Sequence, residues 1–123
     1  MLLTLATRTI VPATPRARIV QLDLGSEAFP YEAGQAVFVG THGQPLRQPY
    51  SIATSPAEAR RDRRLELLVG VDESGRPGPH LDLAIGSLVD VEGPVGTFTF
   101  PSRVEERSIL FIAGGTEIGR AHV

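Results

Sequence analysis

Apolar and polar residues alternate along this chain in short stretches, each stopped by glycine or proline. Such spacing is the period of extended backbone, in which successive side chains point to opposite faces. Residues 2–10 alternate loosely with threonine and arginine, and Pro12 and Pro15 close them. From Arg16 to Leu24 the pattern sharpens: Val20, Leu22 and Leu24 share a face, Arg18 stands at its open end, and Gln21 and Asp23 face away. Gly34-Gln35 turns into an apolar stretch ending at Val39, and a polar loop leads to a strand over residues 47–56. Residues 57–64 read as a polar loop, followed by a strand with Leu65, Leu67, Val69 and Val71 towards the core. In the next strand Val89 and Val91 oppose Asp90 and Glu92, a turn follows at Pro94, and residues 97–100 complete the series. The helical signal is Gly78-Pro79, because proline suits a first helical position, where its missing N–H costs nothing.

Composition supports short strands and turns over long helices, with 13 glycines and 10 prolines among 123 residues. A net charge of -2 argues against a nucleic-acid surface or a polybasic membrane anchor. With no cysteine, the segment holds neither a disulfide nor a thiolate-ligated iron–sulfur cluster, and it suits a reducing compartment. No apolar run approaches membrane-spanning length, and Met1-Leu2-Leu3-Thr4-Leu5 is not a signal peptide, so a cytoplasmic location is expected. His42 is a lone loop histidine, and nothing assembles into a metal site.

The most specific chemistry lies in Arg47-Gln48-Pro49-Tyr50-Ser51. On extended backbone Tyr50 and Ser51 point different ways, so a flat ligand can be covered by the phenol ring and met at its edge by the hydroxyl. This run resembles the Arg-x-Tyr-Ser flavin motif of the ferredoxin–NADP reductase superfamily. Further stretches resemble the family in the same order: Gly34-Gln35, with Ala33 at the family's proline; Gly75-Arg76-Pro77-Gly78, with glycine at its serine; and Gly93-Pro94-Val95-Gly96-Thr97-Phe98. Last comes an apolar run, Ile109 to Ile112, ending in Gly114-Gly115-Thr116.

The resemblance implies an all-β fold: a six-stranded antiparallel Greek-key flavin-binding barrel with one short helix over residues 1–102. Residues 103–116 would be the first strand and glycine turn of a truncated α/β NAD(P)-binding domain. It implies an NAD(P)H-dependent oxidoreductase that passes electrons through flavin to a redox partner protein or a small acceptor, with FAD as cofactor and FMN as the alternative. Tyr50 would stack on the flavin, gaining about 1 kcal/mol beyond area burial. Ser51, both donor and acceptor, would address ring nitrogen N5 in either redox state. Arg47 would take the phosphate. The family's arginine stands two places before the tyrosine, where this chain has Gln48, so either a bulge brings Arg47 round or Gln48 makes a neutral contact. Gly75, Gly78 and the amides of His80 and Leu81 would hold the pyrophosphate at the helix start, and Gly114, Gly115 and Thr116 would belong to the nicotinamide side. Arg60, Arg61, Arg63 and Arg64 read as a docking patch for an acidic electron-transfer partner, as a clamp for a cofactor phosphate, or as a solvated loop with Glu58 and Asp62 as counter-charges; the solvated reading is favoured. A non-catalytic ligand-binding or interaction barrel is the competing function, since small barrels host many.

The final residues, Glu117 to Val123, match nothing in the family. They resemble the read-through translation of a short-read sequencing adapter, GAG ATC GGA AGA GCA CAC GTC, whose next codon, TGA, is a stop. The expectation is a gene-encoded sequence interrupted at Thr116, a strand at 109–112 that frays for lack of neighbours, and a 123-residue fragment inactive towards NAD(P)H.

Overall fold

The computed structural model describes residues 1–96. The strand expected at 97–100, the 103–116 segment with Gly114, Gly115 and Thr116, and the 117–123 tail lie outside the described residues.

Among the described residues there are six strands: β1 (Leu2–Thr14), β2 (Ala17–Asp23), β3 (Ala36–Thr41), β4 (Gln48–Ser51), β5 (Arg64–Gly70) and β6 (Leu88–Val95). They form one antiparallel sheet in the order β4-β3-β6-β1-β2-β5. The last strand returns to lie between the first and the third, as a Greek key requires. Among the described residues the sheet does not close. Between its edges, β4 and β5, a single bridge joins Ile52 to Leu67, and the Ala53 amide donates to the Glu66 carbonyl at 2.8 Å.

Alternation places the core where the sequence puts it. Val20 pairs with Leu67, Leu22 with Leu65 and Val39 with Val91, all buried, and each such side chain contributes about 1.5–3 kcal/mol through burial. Two strands run further than their prolines suggest. β1 continues through Pro12 to Thr14, because register shifts at Thr7/Thr9 and Pro12/Thr14 absorb the irregularity. β6 likewise passes Pro94 to Val95, and the expected turn is a register shift opposite Ala36/Phe38.

The short helix is real but misplaced in the sequence reading. It is α1 (Pro56–Asp62), inside the stretch read as a loop. Ser55 caps it, its Oγ accepting from the Glu58 amide at 3.2 Å, with Pro56 in the first turn, Glu58 at the positive end and Arg60 and Arg61 in the last turn. Residues 79–84 form no helix. There the Thr41 amide donates to the His80 carbonyl at 2.9 Å, and the Asp82 amide to Thr41 Oγ1 at 3.3 Å, so the backbone is bound to β3 instead of to itself.

One close approach on β3 sets the path of the chain into β4. A Cβ on Gly40 would run into the Leu46 carbonyl and lie 3.1 Å from the Arg47 Cγ, so the segment entering β4 crosses directly over this glycine.

Candidate functional site

Strand β4 is four residues long and pairs with β3 without a register shift: Val37 opposite Tyr50, Phe38 opposite Pro49, Val39 opposite Gln48, Ala36 opposite Ser51. Cross-strand partners share a face, so Tyr50 and Gln48 stand on the side of buried Val37 and Val39, and Ser51 on the other. No bulge turns Arg47 to the Tyr50 side. Gln48 and Tyr50 form one wall of an open groove of about 380 Å³, and residues 77–80 form the facing wall.

Tyr50 and His80 meet across it. The Tyr50 hydroxyl and His80 Nε2 are 2.5 Å apart, and the rings lie 5.8 Å apart at 26°, an offset stack. Burial pushes the Tyr50 phenol up to about 12 and moves the His80 imidazole below its ordinary 6.5. Both groups are therefore neutral at pH 7. His80 is 6% exposed, and Leu81 beside it is packed into the core. Gly78 sits at φ +139°, and a side chain there would meet the His80 ring, with Nδ1 at 3.0 Å.

The other expected residues are placed differently. Gly75 belongs to a turn closed by Asp72, whose carbonyl accepts its amide at 3.0 Å and whose carboxylate accepts from the Ser74 amide and hydroxyl and the Arg76 amide. These bonds, the one to the Arg76 amide foremost, lower the Asp72 carboxyl. Arg47 reaches towards β6, its Nη2 3.9 Å from Asp90 and its Nη1 3.8 Å from Glu92, while its buried Nε meets no partner. Gln48, Tyr50, Gly78 and His80 thus come together, and Arg47, Ser51, Gly75 and Leu81 are not in the groove lining.

The family model of the oxidoreductase FAD-binding domain matches residues 3–100. The chain belongs to this family. It is 29% identical over 109 residues to the reductase component DmpP of phenol 2-monooxygenase from Pseudomonas sp. (strain CF600), covering 87% of this chain and 30% of that protein. To the phenol hydroxylase P5 protein of Acinetobacter pittii (strain PHEA-2) it is 30% identical over 105 residues, 84% of this chain and 28% of that one. The chain therefore spans under a third of the length of these curated relatives. Among solved structures, the Amycolatopsis cytochrome P450 reductase GcoB superposes with a TM-score of 0.67 at 32% identity, covering 86% of this chain and 32% of that chain. A ferredoxin reductase in carbazole 1,9a-dioxygenase shares the fold, with a TM-score of 0.66 at 20% identity over 83% of this chain and 30% of that chain.

The residues of this FAD-binding domain suit a flat, phosphate-bearing molecule. Tyr50 offers an aromatic ring at an open groove, Gly78 lets the His80 ring fold close against the backbone of the facing wall, and Arg47 keeps an unmet Nε. Three of the four arginines in the 60–64 stretch have partners on neighbouring residues. Arg61 and Arg64 hold Asp62 at 3.0 and 2.6 Å, Arg64 also reaches Glu66 at 3.2 Å, and Arg63 donates to the carbonyls of Gly25 and Glu27. The bonds from Arg61 and Arg64 hold the Asp62 carboxyl down to about 2. Most of this patch is thus engaged locally, with Asp62 as a counter-charge.

Sequence reasoning missed Asp90. Alternation turns it outward, yet it is 6% exposed, because Thr4 Oγ1 and the Gly43 amide donate to its carboxylate at 2.8 and 3.0 Å and His42 Nδ1 lies 2.8 Å away. The His42 bond, with those from Gly43 and Thr4, holds its carboxyl at about 2. Nothing in the local pattern signals this. Among the described residues no cluster suits a metal ion, and no helix is long and apolar enough to cross a membrane.

Proposed function

We propose that this chain is the flavin-binding part of an NAD(P)H-dependent reductase that draws electrons from reduced nicotinamide and delivers them to a redox partner or a small acceptor. The observation that carries the proposal is the Tyr50–Gln48 wall facing residues 77–80 in a chain of the oxidoreductase FAD-binding domain family. FAD is the cofactor in this reading, with FMN as the alternative. The names of the relatives, a reductase component of phenol 2-monooxygenase and a cytochrome P450 reductase, support an oxygenase as the electron acceptor. The cysteine-free chain suits the cytoplasm.

When bound, the flavin supplies the ring that takes up hydride and gives up electrons. The protein's part is to bind, orient and exclude water. Tyr50 covers one face of the ring and Gln48 offers its amide on the same wall. Ser51 presents a hydroxyl that both donates and accepts at the ring edge. Arg47, held by Asp90 and Glu92 at ion-pair distance only, takes a phosphate. Gly75, Gly78 and the amides of His80 and Leu81 complete the phosphate side in this reading, and Gly114, Gly115 and Thr116 belong to the nicotinamide side.

The test is flavin uptake by the purified 123-residue chain. A yellow protein that releases FAD or FMN on denaturation is expected, and a Tyr50→Ala/Ser51→Ala double variant should lose uptake. A colourless protein that takes up neither flavin, or a double variant that binds as well as the parent, overturns the reading in favour of a non-catalytic barrel.

A further inference from the structure

We propose that Tyr50 locks His80 in the tautomer carrying its proton on Nδ1, and that this N–H donates to a phosphate of the molecule stacked on Tyr50. The proposal rests on the flavin reading and adds an anion contact inside the groove.

The lock gives each partner one role. Tyr50 keeps its hydroxyl proton, its phenol being pushed up to about 12 by burial, and in the proposed arrangement that O–H is the donor to His80 Nε2. A neutral imidazole that accepts at Nε2 carries its hydrogen on Nδ1. Burial favours the neutral ring. The Tyr50 hydroxyl is the sole side-chain partner of the imidazole among the described residues, which leaves Nδ1 uncommitted.

Where that hydrogen sits follows from Gly78. The imidazole folds back over this glycine, with Nδ1 3.0 Å and Cε1 3.2 Å from the place a Cβ would occupy. The ring thus fills the direction in which a side chain at 78 would project, on the wall facing Gln48. Among the described residues no lysine or arginine lines the groove. Its side-chain donors to a ligand are the Gln48 amide and His80 Nδ1–H, because the Tyr50 hydroxyl is already spent on His80. A ligand with an aromatic plane and an anionic tail matches this set.

Two substitutions separate the halves of the idea. His80→Gln keeps an acceptor for the Tyr50 hydroxyl but lacks a donor at the Nδ1 position. His80→Asn places an amide nitrogen near Nδ1 and gives up Tyr50. Riboflavin, which has no phosphate, and FMN are titrated into the 123-residue chain by fluorescence. For His80→Gln we expect FMN to weaken about tenfold or more, the scale of one hydrogen bond to a charged group, with riboflavin changed by less than about twofold. His80→Asn should recover most of the preference for FMN. In the ligand-free protein, nitrogen chemical shifts should show Nδ1 protonated and Nε2 bare, and Tyr50→Phe should erase that preference.

Equal weakening of riboflavin and FMN in His80→Gln overturns the phosphate contact, and a proton on Nε2 in the parent chain overturns the lock. If the parent takes up neither flavin, the flavin reading and the phosphate contact fall together, and the nitrogen shifts still decide the Tyr50–His80 lock.

Discussion

Two stretches of this chain open on a proline after a small residue, Ser55-Pro56 and Gly78-Pro79, and only the first becomes a helix. Ser55 supplies a side-chain cap, α1 buries only Ala59, and the outside group that reaches its backbone does so at the C-terminal end, where Arg8 donates to the Asp62 carbonyl at 3.5 Å. After Gly78 there is no capping side chain, and His80 and Leu81 are both buried, one against Tyr50 and one in the core. Consecutive buried residues anchored on different partners hold the backbone out of a helix, and Thr41 takes up the polar groups thus released. Capping decides a helix where the stretch is otherwise uncommitted; tertiary anchors decide against it where they bind first.

Leu81→Ala tests the anchor most severely. It should cost about 2–5 kcal/mol in urea denaturation, as buried leucines do, and disturb flavin uptake through the groove wall. A cost typical of a surface residue would remove the anchor argument. Gly78→Ser should cost about 1–3 kcal/mol, because φ +139° is unfavourable for serine and its side chain meets the His80 ring. Unchanged stability there would mean the loop is free to move away.

Asp90→Asn reaches the loop indirectly, through the 42–43 turn that Asp90 holds beside Thr41. It should cost about 1–2 kcal/mol at neutral pH. The folded carboxyl titrates near 2 against an ordinary 3.8, so its stabilisation is present in full above about pH 4 and is lost as pH falls through 2. The gap between parent and variant should accordingly close between pH 4 and 2. A gap that stays constant or widens between pH 4 and 2 would contradict the assignment. Ser55→Ala should have the smallest effect, about 1 kcal/mol or less, with flavin uptake unmoved. Loss of uptake in that variant would show that the two stretches are coupled.

The same contrast explains which features are legible from sequence. The strand faces were legible because period-2 alternation is local: Leu65, Leu67 and Val69 are buried as their spacing requires. So was the shared wall of Gln48 and Tyr50, two residues apart on extended backbone. The Tyr50–His80 contact spans thirty positions, and the burial of Asp90 depends on a loop folding across β6; neither leaves a trace in neighbouring residues. Ser55-Pro56 did carry a helix signal, but four arginines made the stretch look like solvated coil.

Gly40 lies outside the groove lining, yet the path of the chain above it fixes where β4 begins. A single methyl group at that position would lift the Leu46 carbonyl and displace the aromatic wall from beneath. The bare α-carbon on the neighbouring strand is thus a spacer for the binding surface, and a survey confined to ligand-facing side chains would pass over it.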